Sequence, residues 1–338
     1  MKNLLKATAG TALILSLPLL SFAKSKSIYG ADNRLDYYEA AAGLQTLSDS
    51  VVSLWRSGDV TANAATKMSD LTTSTLGDDN YLCPNERFAD QATGAFCSGT
   101  LVGEDLIMTA GHCVKTEAAC ADTKFIFGFK VGAKDETGPK AVASGEVYGC
   151  ASIVKRYKAG EAGSPFPAGQ TLGADYALVK LDRKVTGHKP LAINRSGSIK
   201  KDTGIFVIGH PSGMPLKVAG DATVRDAGKK GYFVANLDTF GGNSGSAVFN
   251  AATNKIEGIL VRGANDYTAT PAGCYTVATF EMTGGRGEDV TLISELSALI
   301  PRLPGEKAEE AAAPEYQSVD SSSLQLSSPV AMPIFIGF

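Results

Sequence analysis

Asp238-Thr239-Phe240-Gly241-Gly242-Asn243-Ser244-Gly245-Ser246 sets one serine among glycines. Glycines let the backbone turn tightly and leave a hydroxyl exposed. The same turn can aim the Gly242 and Ser244 amides into one small space. Acyl transfer needs both things: a presented nucleophile, and N–H donors where an oxyanion will form. The motif alone is weak evidence. Its meaning depends on Met108-Thr109-Ala110-Gly111-His112-Cys113 upstream and on Asp175-Tyr176-Ala177-Leu178 between the two.

The histidines narrow the order of the catalytic groups. The chain has three, His112, His188 and His210, and all precede Ser244. An α/β-hydrolase runs serine, acid, histidine, so it needs a histidine after the serine. The motif also reads Gly-x-Ser-x-Ser rather than Gly-x-Ser-x-Gly. The orders His…Asp…Ser and Asp…His…Ser remain. His112 follows the apolar run 106–109 in a turn of small residues that can expose its ring. His188 reads as a solvated loop residue, and His210 as a structural or rim residue. Asp175 heads an apolar strand, where a carboxylate can hold the imidazole N–H and stabilise the imidazolium. Asp182, in Leu-Asp-Arg-Lys, reads as a solvated strand exit.

Working outward, short apolar runs alternate with Gly, Asp, Asn and Pro turns from about residue 28 to 301, which predicts an all-β chain. Strands are expected over 51–54, 97–102, 106–109, 124–130, 176–181, 204–208, 232–236, 246–249 and 256–261. Many short strands with few helices make barrels or sandwiches. One helix is expected near the end, capped by Asp289, with Ile293, Leu296, Leu299 and Ile300 on one face and Pro301 as its stop. The polar stretch 56–95 reads as a long surface insertion. Residues 305–338 read as a low-complexity tail. No internal repeat is readable.

At 338 residues, 44% hydrophobic and 20% charged, the chain can bury one or two sizeable cores. No basic run interleaved with aromatics supports nucleic-acid binding. Residues 1–23 read as a signal peptide: Lys2 and Lys6, an apolar core over 11–20, and Ser21-Phe22-Ala23 as the cleavage site. The apolar core is shorter than the roughly 20 residues of a membrane span. Losing Lys2 and Lys6 takes the formal charge from −3 to −5. Export makes disulfides the expected state of Cys83, Cys97, Cys113, Cys120, Cys150 and Cys274. They contain no Cys-x-x-Cys pair, so no zinc site, and no cofactor, is expected. Sequence alone leaves all 15 pairings of the six cysteines open.

Thr109-Ala110-Gly111-His112-Cys113, Asp175-Tyr176-Ala177-Leu178 and Gly242-Asn243-Ser244-Gly245-Ser246, in that order, resemble the trypsin-like serine endopeptidases. More narrowly they resemble the bacterial glutamyl-endopeptidase-like branch. The resemblance runs from about residue 28 to 303. It implies two antiparallel β-barrels, here a domain over 28–304, with a site between them. It implies His112 as general base, Asp175 as its orienting partner, Ser244 as nucleophile, and the Gly242 and Ser244 amides as oxyanion hole. It also implies a Cys97–Cys113 disulfide. For the other cysteines the expected pairs are Cys120–Cys150 and, by elimination, Cys83–Cys274.

Three departures from the family pattern carry weight. Asn243 stands where trypsin-type zymogens keep an aspartate for a new N-terminal ammonium. Ser27-Ile28-Tyr29-Gly30 resembles mature starts in the bacterial branch, so 24–27 reads as a short propeptide. Leu260 stands where glutamyl endopeptidases carry a substrate-binding histidine. Asp238, six residues before Ser244, stands where trypsin keeps its specificity acid, so Lys or Arg on the acyl side is expected. Asp238, Thr239, Leu260, Arg262 and Gly263 are the expected substrate-binding residues, with Arg262 able to neutralise Asp238. The function expected is secreted serine endopeptidase acting on protein or peptide substrates, with no membrane span. The alternatives are an inactive binding protein on the same fold, or an esterase using the same triad.

Overall fold

Strict alternation along a strand sends successive side chains to opposite faces, so a closed sheet needs two apolar environments, one inside and one outside. A computed structural model of the chain describes residues 27–306 and contains two such barrels. The signal peptide, its cleavage site, residues 24–26 and the tail beyond Glu306 lie outside the described residues.

The first barrel is built from β1 (Val51–Arg56), β2 (Cys97–Gly103), β3 (Leu106–Thr109), β4 (Thr123–Ile126), β5 (Val147–Lys158) and β6 (Asp175–Leu181). They pair in the order β1-β2-β3-β6-β5-β4, and β4 closes onto β1. The second uses β7 (Gly204–Gly209), β8 (Lys217–Asp226), β9 (Tyr232–Ala235), β10 (Ala247–Asn250), β11 (Ile256–Arg262) and β12 (Glu288–Leu292). Its order is β7-β8-β9-β12-β11-β10, with β10 closing onto β7. All these pairings are antiparallel. The two halves therefore repeat one strand order without a repeat in the sequence.

Alternation divides the second barrel's side chains between two cores. Ile205, Val207, Val248 and Leu260 join Phe233, Leu237 and Val290 in one cluster. Their neighbours Phe206, Ile208, Ala247, Phe249, Ile259 and Val261 join the cluster that contains the first barrel's interior. Both faces of these strands are thus buried, which is why they read as unbroken apolar runs.

The expected C-terminal helix is not present. Its supposed cap, Asp289, lies inside β12, and only a 3-10 turn, Ile293–Glu295, follows. Asp289 is 1% exposed and accepts from Arg262 Nε at 2.7 Å and from Arg286 at 2.8 Å. A buried, doubly paired carboxylate holds a strand here where an exposed one would have capped a helix. The stretch 56–95 is also more than a surface loop. Val60–Asn63 and Met68–Leu71 form a sheet with Ala141–Ala143. Leu71, Ala92 and Ala95 pack with Trp55, Ile126, Phe129 and Val142.

Three disulfides cross-link the fold: Cys97–Cys113, Cys120–Cys150 and Cys83–Cys274. Among the described residues no helix is long and apolar enough to cross a membrane.

Candidate active site

Two neighbouring strands of the first barrel bring His112 and Asp175 together. β3 and β6 pair with Thr109 opposite Ala177, so the exit of β3 lies beside the start of β6. The chain leaves β3 through Ala110 and Gly111. A Cβ on Gly111 would fall 2.6 Å from Tyr157 O, 2.8 Å from Tyr176 O and 2.9 Å from Asp175 Oδ1. No larger residue fits that approach. Asp175 then accepts from the His112 amide at 3.1 Å and meets His112 Nδ1 at 2.8 Å. The Asp175 side chain is 3% exposed and that of His112 is 29% exposed. With Nδ1 donating to the carboxylate, Nε2 is the ring nitrogen left to take a proton.

Ser244 comes from the second barrel, in the loop between β9 and β10. Gly242 and Gly245 have φ of +83° and +94°, where side chains are strained. A Cβ on Gly245 would fall 2.0 Å from Ser98 O. The loop's own amides are largely committed. Gly241 N donates to Asp266 Oδ2 at 2.9 Å, Asn243 N to Phe240 O at 3.0 Å, Gly245 N to Leu260 O at 2.8 Å and Ser246 N to Asn243 O at 2.9 Å. The Gly242 and Ser244 amides have no acceptor among the described residues. Ser244 Oγ donates to Val261 O at 3.4 Å, and no hydrogen bond joins it to His112. Such links are often loose before substrate binds.

Ser98, which sequence reasoning missed, joins the two halves. Its amide donates to Ser244 O at 2.8 Å and its hydroxyl to Gly242 O at 2.9 Å. It also accepts from the His210 amide at 2.9 Å. Thr291 does the same for Asp175, accepting from its amide and donating to its carbonyl, both at 3.0 Å. A small hydroxyl residue inside a buried barrel strand is the signal that points to such residues.

His112, Asp175, Gly242, Ser244, Val261 and Arg262 line one cleft of about 880 Å³. The sulfurs of Cys97 and Cys113 lie beside His112, but they are joined in a disulfide and offer no thiolate to a metal.

The expected substrate-binding residues divide. Asp238 does not line the cleft. Its carboxylate accepts from the amides of Tyr29 at 2.7 Å and Asn33 at 3.0 Å, which belong to the N-terminal arm. Burial pushes its pKa up to about 6, against the pull of those two N–H groups. Arg262 does not neutralise it, being paired with Asp289. Leu260 is fully buried in the second barrel's core. Thr239 is likewise buried, its hydroxyl on Glu288 Oε2 at 2.8 Å. Gly263 packs against Glu288, whose carboxylate a Cβ there would strike at 1.9 Å. Asp266, on the cleft wall, is an acid that the sequence pattern did not single out.

The remaining histidines lie outside the cleft. His188 is not a solvated loop residue: its ring stacks on Phe127 at 4.1 Å and its Nε2 meets Glu146 at 2.7 Å. His210 is buried with Nδ1 on Met214 O at 3.0 Å, and burial lowers its pKa to about 3. Asp182 accepts from the Gly149 amide at 2.9 Å at the surface.

Comparison with known proteins adds a family match. A secreted RxLR effector protein of Plasmopara viticola is similar over 178 residues at 29% identity, covering 49% of this chain. The match spans 41% of that protein's own length. The VesB protease of Vibrio cholerae is similar in structure at a TM-score of 0.45 and 15% identity, over 79% of this chain and 66% of that one. The family model described as the trypsin-like peptidase domain matches residues 97–259, a span that runs from β2 into β11. The two six-stranded barrels are arranged as a trypsin-like double barrel, and residues 97–259, just under half of the chain, match the trypsin-like peptidase domain.

Proposed function

We propose that this chain is a serine endopeptidase that cleaves peptide bonds through an acyl-enzyme. The observation that carries the reading is a single cleft lined by Ser244, His112 and a buried Asp175 already bonded to His112 Nδ1. On this reading Ser244 Oγ leaves Val261 O and hydrogen-bonds to His112 Nε2 when substrate binds. Oγ then attacks the scissile carbonyl as Nε2 takes its proton, and buried Asp175 stabilises the imidazolium. The uncommitted Gly242 and Ser244 amides supply donors for the oxyanion. His112 returns the proton to the leaving amine, and water repeats the sequence on the acyl-enzyme.

Three disulfides fit an oxidising compartment, and the partial Plasmopara relative is itself described as secreted. Release of a leader followed by trimming near 26–28 accords with the burial of Ser27, Ile28 and Tyr29 against the second barrel. Ser244→Ala or His112→Ala should each lower peptide turnover by about six orders of magnitude. A fluorophosphonate should label the parent at Ser244 and neither the serine variant nor a denatured control. Retained turnover in either variant would sink the triad. An unlabelled but folded parent would favour an inactive binding protein.

A further inference from the structure

Charge around the cleft is unevenly compensated. Its carboxylates are all engaged: Asp175 with His112, Glu161 with Arg156 and Lys158, and Asp266 with the Gly241 amide. Two of its cations are engaged as well, Lys158 with Glu161 and Arg262 with Asp289. The other two, Arg56 and Lys115, are exposed and line the cleft with no carboxylate partner among the described residues. Nearby acids are occupied elsewhere. Glu117 accepts from the Ile153 amide at 3.1 Å, and Asp122 from the Ser57 hydroxyl.

Both free cations stand on one wall. Arg56 ends β1 with its guanidinium 4.1 Å from the centroid of the Phe96 ring. Phe96 precedes Cys97, whose disulfide reaches Cys113, two residues before Lys115. A disulfide and a stacked ring therefore hold this wall in place. A guanidinium laid on an aromatic face keeps its edge N–H groups free for a planar carboxylate. The wall continues from His112, the group that must protonate the departing amine, so the leaving half of a peptide runs along it. The acyl half faces Val261 and Arg262. The whole chain is acidic, at −3, so this cationic wall is a local feature and not a consequence of composition.

We propose that Arg56 and Lys115 select peptides bearing a carboxylate side chain on the leaving-group side of the scissile bond, a specificity that rests on the peptidase reading above. The test uses the secreted enzyme and pairs of internally quenched peptides that differ only by Glu against Gln at the first and second positions after the scissile bond. The parent should show a kcat/KM about tenfold higher for the Glu peptides at low salt, and the ratio should shrink as salt is added. In R56Q/K115Q the ratio should fall to about one, and in R56E/K115E it should fall below one, with Gln peptides preferred. The ratio is the readout, so a general loss of activity does not mimic the effect. Equal rates in the parent, an unchanged ratio in both variants, or a preference only for acids before the scissile bond would overturn the inference and leave the peptidase reading standing. A parent that cleaves none of the peptides would overturn both.

Discussion

Asp238 shows how far a single residue's role depends on partners remote in sequence. Counting back six positions from Ser244 places it at a specificity site. Its actual donors are Tyr29 and Asn33, more than 200 residues away in the chain. Nothing in the local pattern around Asp238 encodes that arm, so the position was legible and its use was not. Its chemistry has a consequence with a definite sign. The folded carboxyl keeps its proton up to about pH 6, while the unfolded one releases it near 3.8. The folded state therefore binds more protons in that window, and its stability falls as pH rises through it. Asp238→Asn should flatten this fall, which amounts to about 2 kcal/mol. Tm measured from pH 4 to 6.5 in both proteins checks it, and parallel curves would show that Asp238 does not titrate there. By contrast His112, Asp175 and Ser244 could be proposed from their local motifs, once the lack of any histidine after Ser244 had narrowed the possible orders.

At the scale of elements, legibility followed burial. Strands with both faces buried, such as β6 and β7, stand out as apolar runs. The three barrel strands that the sequence pattern does not single out all carry polar residues for a physical reason. β5 is long and largely half-exposed, with irregular register at Cys150/Ser152 and Ile153/Lys155 that breaks its alternation. β8 opens on Lys217, which is buried with Asp36 at 2.7 Å. β12 opens on Glu288 and Asp289, both buried, and Asp289 in isolation reads as a helix cap. The insertion over 56–95 is tied to the second half by Cys83–Cys274, at a separation of 191 residues. Leu82 also bridges to Tyr275, in the hairpin of Tyr267–Ala269 and Tyr275–Val277. A closure that long constrains the unfolded chain strongly. Cys83→Ser/Cys274→Ser should lose about 3–5 kcal/mol in urea unfolding. Hydrogen exchange should quicken first over 76–93. A loss confined to other segments would show that the bond does not anchor the insertion.

The described residues hold two copies of one strand order, and one cleft holds groups from each. The first barrel supplies His112 and Asp175, the second Ser244. This arrangement makes a prediction about assembly. Trp55 is the chain's one tryptophan and is buried in the first half. During refolding with disulfides intact, its fluorescence should recover before Ser244 becomes reactive to a fluorophosphonate, since halves of a large chain tend to fold as units. Simultaneous recovery would argue that the two form together. The all-β class was readable from turns and apolar runs, whereas the duplicated order was not, because the same topology is lined by different side chains in each half.

Ser98 makes the timing matter. One small residue in the first half holds two carbonyls in the second, that of Gly242 by its hydroxyl and that of Ser244 by its amide. Until that clasp forms, the loop that carries the serine lacks the donors to two of its carbonyls. On the peptidase reading, docking of the two halves and completion of the cleft are therefore one event.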